Sequence, residues 1–276
     1  MFRPLELYIG LRYTRAKSRN HFISFISASS MLGIMLGVIA LIVVLSVMNG
    51  FHKEVRERIL GMTSHASVRA LSGNMDDWQT AMKMAKQHPE VVGAAAFVEG
   101  QAMLVNRSYV SGAMIRGIFP QQEPDVSDVG DHMLHGQLAD LEAGGFRIIV
   151  GSELANVLGV SMGDKVTVVT PQASVTPIGT MPRLKRFTVT GIFEVGMGEY
   201  DRGIALVHAN DAAKLNRMDD GVTGVRLKLQ DLFEARRVAR ELAVNLKGLF
   251  RLSDWTDEHR NFFSALATEK RMMGLI

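Results

Sequence analysis

Residues 22–48 read FISFISASSMLGIMLGVIALIVVLSVM, 27 consecutive positions without a charged side chain. A helix of that length rises about 40 Å, enough to cross a hydrocarbon core of about 30 Å with some tilt. The run therefore reads as a membrane anchor, and the rest of the chain is placed by it. Arg3, Arg12, Arg15, Lys17 and Arg19 precede it against the single acid Glu6, whereas Lys53, Glu54, Arg56, Glu57 and Arg58 follow it with mixed sign. The excess of cations before the run predicts a cytoplasmic N-terminus and a main domain outside the cytoplasm. A cleaved signal peptide has a shorter apolar core and a small-residue cleavage site, and neither is present.

The 276 residues contain no Cys, which excludes disulfides, thiolate metal sites and thiol nucleophiles. The sequence pI of 9.2 invites a nucleic-acid reading. The first 21 residues, however, hold five basic groups and one acid, so a chain of net +3 carries −1 beyond them. The basicity belongs to the arm, where it suits anionic headgroups and topology; no nucleic-acid partner is expected.

Residues 3–19 carry apolar and basic side chains near helical spacing, as an interfacial helix or a frayed basic tail. Within the anchor, Ser29, Gly33 and Gly37 form a small-xxx-small-xxx-small face that lets another helix approach, although such triplets are common in membrane helices. Phe51, Val55, Ile59 and Met62 continue the helical period, predicting an amphipathic stalk over 51–62. Residues 63–255 read as a mixed α/β domain of two subdomains with many short strands. Strands are predicted at 64–71, 91–98, 101–106 and 109–118, with a turn at Asn106-Arg107-Ser108 and a helix ending at Gln87 before His88-Pro89. Residues 120–145 read mostly as loop and as a subdomain boundary. Beyond them, strands are expected at 146–150, 166–170, 187–195, 204–208 and 222–229, and helices at 152–158, 211–216 and 231–246. Residues 256–276 read as a last helix that turns apolar after Lys270 and Arg271, the start of a second span or an amphipathic helix packed on the domain.

Motif searches for chemistry come back empty. No P-loop, dinucleotide fingerprint, nucleophile elbow or His-Glu-x-x-His is present. Asp131, His132 and His135 are the single compact cluster of metal-ligand types, with solvated polar residues as the default reading. Glu99, Glu123, Asp125 and Asp128 are scattered acids without a pairing pattern. One loop stands apart: residues 170–183, TPQASVTPIGTMPR, hold three prolines and a glycine together with Val175, Ile178 and Met181. Prolines stiffen this connection. A rigid apolar tip suits insertion into a partner's pocket, because little ordering entropy is lost; folding back on the chain's own core is the other reading.

Several motifs resemble the LolC and LolE family of lipoprotein-releasing permeases. They are Ile9-Gly10-Leu11-Arg12-Tyr13, Gly33-Ile34, Gly37-Val38 and Leu45-Ser46-Val47-Met48-Asn49-Gly50-Phe51. Gly117-Ile118-Phe119-Pro120, Ile148-Ile149-Val150-Gly151, Leu158-Gly159-Val160 and Gly163-Asp164 look like the periplasmic core domain of MacB-type proteins. Glu269-Lys270-Arg271-Met272-Met273-Gly274-Leu275 resembles the family's entry into its second span. The resemblance implies a non-catalytic inner-membrane permease without a cofactor. Its implied partners are a second permease copy or paralogue, the cytoplasmic ATPase LolD, lipoprotein substrates and the periplasmic chaperone LolA.

Hooked members of the family, LolC or LolF, engage LolA through a loop between two strands. Val175, Thr176, Pro177, Ile178, Gly179, Thr180, Met181 and Pro182 look like that hook. A basic pad beside it corresponds to Lys185, with Arg183 or Arg186 in support, whereas Thr167 and Leu184 replace a basic residue and a Gln of the family pattern. Trp78-Gln79 and Pro120-Gln121-Gln122-Glu123 look LolE-like, and a hook on such a body favours LolF. The resemblance also places Val43, Val47, Met48 and Phe51 at the outer end of the span against lipid or lipoprotein. Two rivals remain: a MacB-like efflux or FtsX-like signalling permease, and a membrane-tethered enzyme built on Asp131, His132 and His135.

Overall fold

The computed structural model describes residues 8–10, 12, 21–62, 64–176, 179–218, 221–231, 234–245 and 250–254. The expected arm helix over 3–19 and the closing helix over 256–276 lie largely or wholly outside them. Helix α1, His21–Met62, runs 42 residues without a break, about 63 Å at 1.5 Å per residue. Its uncharged segment Phe25–Met48 is long and apolar enough to cross a membrane. Large side chains such as Phe25, Ile34 and Val47 are exposed along it, as a bilayer solvent allows. Residues Met1–Glu57 and Arg58–Ile276 form two separate compact units.

In the second unit the described strands join in one ten-stranded sheet. Its organiser is β2, Val91–Asn106, which follows β1, Ala66–Ala70. Sixteen residues make β2 long enough to hold two different strands on one edge. Its first half pairs with β9, Gly224–Leu229; Met103, Leu104 and Val105 pair with β6, Lys165–Thr176. On the other edge it forms a hairpin with β3, Tyr109–Ile118. Arg107 takes the left-handed conformation (φ 54°) that a two-residue hairpin turn requires.

The sheet then closes on itself. From β3 the pairing passes in parallel to β8, Ile204–His208, and antiparallel to β5, Arg147–Gly151. It continues in parallel to β7, Gly179–Phe193, and antiparallel back to β6. These six strands form a hydrogen-bonded ring that removes its own edges. β9, β1 and β10, Phe250–Asp254, extend from β2 as an open wing, and β4, Met133–His135, adds to the end of β7.

Alternation along the ring strands divides the core. Ile148, Val150, Ala205, Val207, Phe187 and Val189 join one buried cluster. Ile149, Leu206 and Phe193 join a second with Ile118 and Tyr200. Phe187 and Phe193 have the same parity yet face opposite ways, because Ile148 pairs with Val189 and Ile149 with Gly191. Thr190 is thus an extra residue, and a bulge of one residue inverts every side chain beyond it.

Helices cover the remaining faces. α2, Trp78–Gln87, lies on β2 and β9; α3, Ser152–Leu158, and α4, Gly198–Gly203, sit by β5; α5, Ala209–Asn216, lies on β3 and β2; α6, Ala235–Asn245, covers β1 and β10. Gly117 is where α5 meets β3. A Cβ there would stand 2.5 Å from the Cβ of Ala212 and 3.0 Å from the Cα of Ala209. Gly117→Val is therefore expected to lift α5 from the strand and to cost about 2–3 kcal/mol, measured as a lowered urea midpoint with circular dichroism.

Three readings from sequence change. The strands expected at 91–98 and 101–106 are one strand, since neither Glu99 nor Gly100 interrupts the ladder with β3. Residues 120–145 fold into short 3-10 turns and β4, and their Val129, Leu138 and Leu141 cover the second core cluster. Most of 171–183 is strand: β6 runs to Thr176 and β7 starts at Gly179. The register shifts between Thr170 and Ala173, a bulge that accommodates Pro171, whose nitrogen cannot donate to the ladder.

Candidate functional site

The hairpin of β6 and β7 is the feature that leaves the ring. β6 is held by β2 only through Thr167, Val168 and Val169; beyond them it pairs with β7 alone, through Ser174 with Met181, Val175 with Thr180 and Thr176 with Gly179. From Thr170 to Thr176 this is a two-stranded ribbon about 20 Å long at some 3.3 Å per residue. Of the expected hook residues, Val175, Thr176, Gly179, Thr180, Met181 and Pro182 lie on the two paired arms. Pro177 and Ile178 lie outside the described residues.

The three expected pad residues do different things. Arg183 donates through Nη1 to the main-chain carbonyls of Lys214 (3.2 Å) and Leu215 (3.3 Å). A guanidinium at the C-terminal carbonyls of α5 adds a donor to the last turn, where the Lys214 carbonyl otherwise has only a long bond from the Arg217 N–H (3.5 Å), and suits the negative end of the helix dipole. Arg183 therefore ties the ribbon's base to the domain. Lys185 extends its Nζ over the Phe146 ring, 3.8 Å from the centroid, and Phe146 meets Phe187 edge-on. Arg186 is exposed opposite Thr167.

Leu184, Val169, Met103 and Gly112 stand in one cross-strand row on the outer face of the sheet. Leu184 is 65% exposed and Met103 47%, with Val110 in the next row at 52%. The ribbon thus rises beside an apolar strip edged by Arg186.

Glu99 and Glu123, read from sequence as scattered acids, are buried anchors. Glu99 accepts from Arg69 and, at 3.1 Å, from Arg116. Burial pushes its carboxyl up, but the charges and hydrogen bonds of Arg116 and Arg69 outweigh that and hold it below the ordinary value. The sign follows from the depressed folded-state value: this stabilisation is present above the unfolded-state pKa and is lost as pH falls through the folded one. Glu123 pairs with Arg226, whose side chain is 4% exposed against 2% for the acid. The Phe97 ring lies between Arg69 (5.0 Å) and Arg226 (5.6 Å).

Asp131, His132 and His135 do not converge: among the described residues no group of three His, Asp or Glu could hold a metal ion. On α1, Ser29, Gly33 and Gly37 are exposed and share one face by their four-residue spacing. A Cβ on Gly33 or Gly37 would meet nothing within 4 Å. Val43 and Val47 are exposed, Met48 is half-buried, and Phe51 lies on the same helix.

Comparison with known proteins places the chain in a family. Residues 27–244 match the family model of the MacB-like periplasmic core domain. The lipoprotein-releasing system transmembrane protein LolC of Xylella fastidiosa strain 9a5c is 52% identical over 276 residues, covering 100% of this chain and 66% of that protein. The corresponding LolE of Haemophilus influenzae is 31% identical over 253 residues, 90% of this chain and 60% of its own length. The periplasmic region of MacB from Actinobacillus actinomycetemcomitans superposes with a TM-score of 0.47 at 13% identity, covering 75% of this chain and 95% of that one. The chain spans 66% of the length of the Xylella relative. With a core-domain match over most of its length and 32% identity to the LolC of Haemophilus influenzae, of which it covers 67%, the chain belongs to the LolC/LolE family of lipoprotein-releasing system transmembrane proteins.

Proposed function

We propose that this chain serves an ATP-driven complex that extracts outer-membrane lipoproteins from the inner membrane and passes them to the chaperone LolA. In this reading the N-terminus is cytoplasmic and the domain of β1–β10 periplasmic. The chain itself catalyses nothing; a separate LolD-type ATPase supplies the energy, and a second permease copy or paralogue completes the lipid-facing cavity. Val43, Val47, Met48 and Phe51 contact lipid or lipoprotein at the outer end of α1, while Ser29, Gly33 and Gly37 pack against a neighbouring helix.

The observation that carries the proposal is the ribbon of β6 and β7, which separates from β2 beyond Val169 and stays paired as far as Thr176 and Gly179. Among the described pairings no third strand accompanies this ribbon beyond Val169. Its pairing and its Arg183 tether preorganise it, which lowers the entropic cost of docking. The apolar strip of Leu184, Val169 and Met103 offers the chaperone a landing surface, and Lys185 and Arg186 steer an acidic rim.

The reading is tested by replacing residues 174–181 with Asn-Gly, which closes the ribbon early with a favoured turn. The truncated protein is expected to fold, to remain in the membrane, and to lose capture of purified LolA in a pull-down. Capture at the original level would overturn the proposal.

A further inference from the structure

A second recognition surface lies away from the ribbon's tip, around Trp78 at the start of α2. The indole stacks on Phe119, with ring centroids 5.3 Å apart and an interplanar angle of 22°. Phe119 in turn meets His208 edge-on at 5.8 Å. His208 is fixed because its Nδ1 accepts from the backbone N–H of Asn210 at 3.2 Å, at the N-terminus of α5. The half-buried indole is therefore held in place by a chain of rings instead of swinging freely.

Trp78 and Gln79 line two hollows at once, of about 600 Å³ and about 430 Å³. The larger is lined by Val98, Phe119, Ala209, Ala213 and Val222 together with the polar Asn210 and Lys214 and the main chain at Gly221. The smaller is formed by Met82, Lys83, Lys86 and Gln87 along α2. Trp78 thus borders a hollow of mixed polar and apolar lining on one side and a largely apolar one on the other, each with room for a large side chain. In an extended peptide, side chains at i and i+2 point the same way about 7 Å apart, the pattern that straddles such a residue.

Charge narrows the occupant. Lys83, Lys86 and Lys214 are exposed around the hollows, and Lys86 is shared with Asp125 at 3.2 Å. Asp76 and Asp77 precede α2, and Asp76 already accepts from Asn74. A negative flank would therefore lie over the lysines and away from the helix start.

The geometry points to a docking site for an extended acidic segment of a partner protein, inserting two apolar side chains at i and i+2 on either side of Trp78. This does not depend on the chaperone reading of the ribbon. The two sites nevertheless share α5: Lys214 borders the larger hollow with its side chain while its carbonyl holds Arg183 at the ribbon's base.

The test uses the chain in nanodiscs with Trp255→Phe, which leaves Trp78 as its single tryptophan. The probe is the peptide acetyl-Glu-Leu-Asp-Phe-Glu-amide. Its addition is expected to change Trp78 emission saturably, with a Kd on the order of 10–100 µM. The surface pair Lys83→Glu with Lys214→Glu should raise that Kd by about tenfold or more at unchanged circular dichroism, as should salt at about 0.5 M. The analogue with lysines in place of its acids should produce no change. No saturable response up to about 1 mM, or an equal response to the basic analogue, would overturn the site. So would a response to added anionic lipid vesicles in place of the peptide, which would assign the surface to membrane contact.

Discussion

Replacing Glu123 with Ala is expected to lower the stability of the domain by about 3–5 kcal/mol, the usual consequence of leaving one member of a buried ion pair uncompensated. Arg226 has little else to rely on. Its Nε and Nη1 are buried without a hydrogen-bond partner among the described residues, and its guanidinium otherwise lies over the face of Phe97. Against a total stability of about 5–15 kcal/mol, that loss removes a large share and shows as a drop in thermal and urea midpoints. Two comparisons identify the cause. Glu123→Ala combined with Arg226→Met is expected to recover much of the loss, since it replaces an orphaned charge by apolar volume. Asp125→Ala, which breaks an exposed pair with Lys86 only two residues away, should cost less than about 1 kcal/mol. If Glu123→Ala proved as mild as Asp125→Ala, the buried pair would not be a structural anchor.

That pair also shows where a sequence stops being readable. Glu123 and Arg226 are 103 positions apart, and neither carries a local signal of burial. The same holds for closure of the ring, which depends on the end of β2 pairing with β6, a long-range pairing that periodicity does not encode. β10 carries no sequence signal because its five residues, FRLSD, have little alternating apolar character and gain their place from β1.

What was legible was local. The charge-free run of α1 needed only length and composition. Residues 152–158 formed the expected helix because Gly159 supplies the left-handed stop (φ 60°). Prolines made 171–183 read as loop, although a bulge at Thr170–Ala173 lets both strands continue. The candidate docking loop is legible in the same partial way: Val175 and Met181 stand out in the sequence, but their places on two paired arms depend on that bulge. Nor did the tether from Arg183 to α5, whose partners are main-chain carbonyls that any residue could provide.

The tip carries the other large expected effect. Thr176 pairs with Gly179, and of the two residues between them in the sequence, Pro177 and Ile178, Ile178 is the large aliphatic one. If LolA receives this tip in an apolar pocket, Ile178→Asp places a carboxylate where no partner charge or water is provided, at a cost of several kcal/mol. Even about 3 kcal/mol corresponds to a loss of more than a hundredfold in affinity, so binding of LolA is expected to disappear in a pull-down at micromolar protein. Ile178→Leu, of equal volume, should bind nearly as the parent does. Ile178 is not among the paired residues of β6 and β7, so the thermal midpoint of the domain should not move, unlike that of Glu123→Ala. Loss of binding without loss of stability is the combination that assigns Ile178 to recognition. Unchanged affinity of Ile178→Asp would remove the ribbon tip from the interface and leave the strip of Leu184, Val169 and Met103 as the surface to probe next.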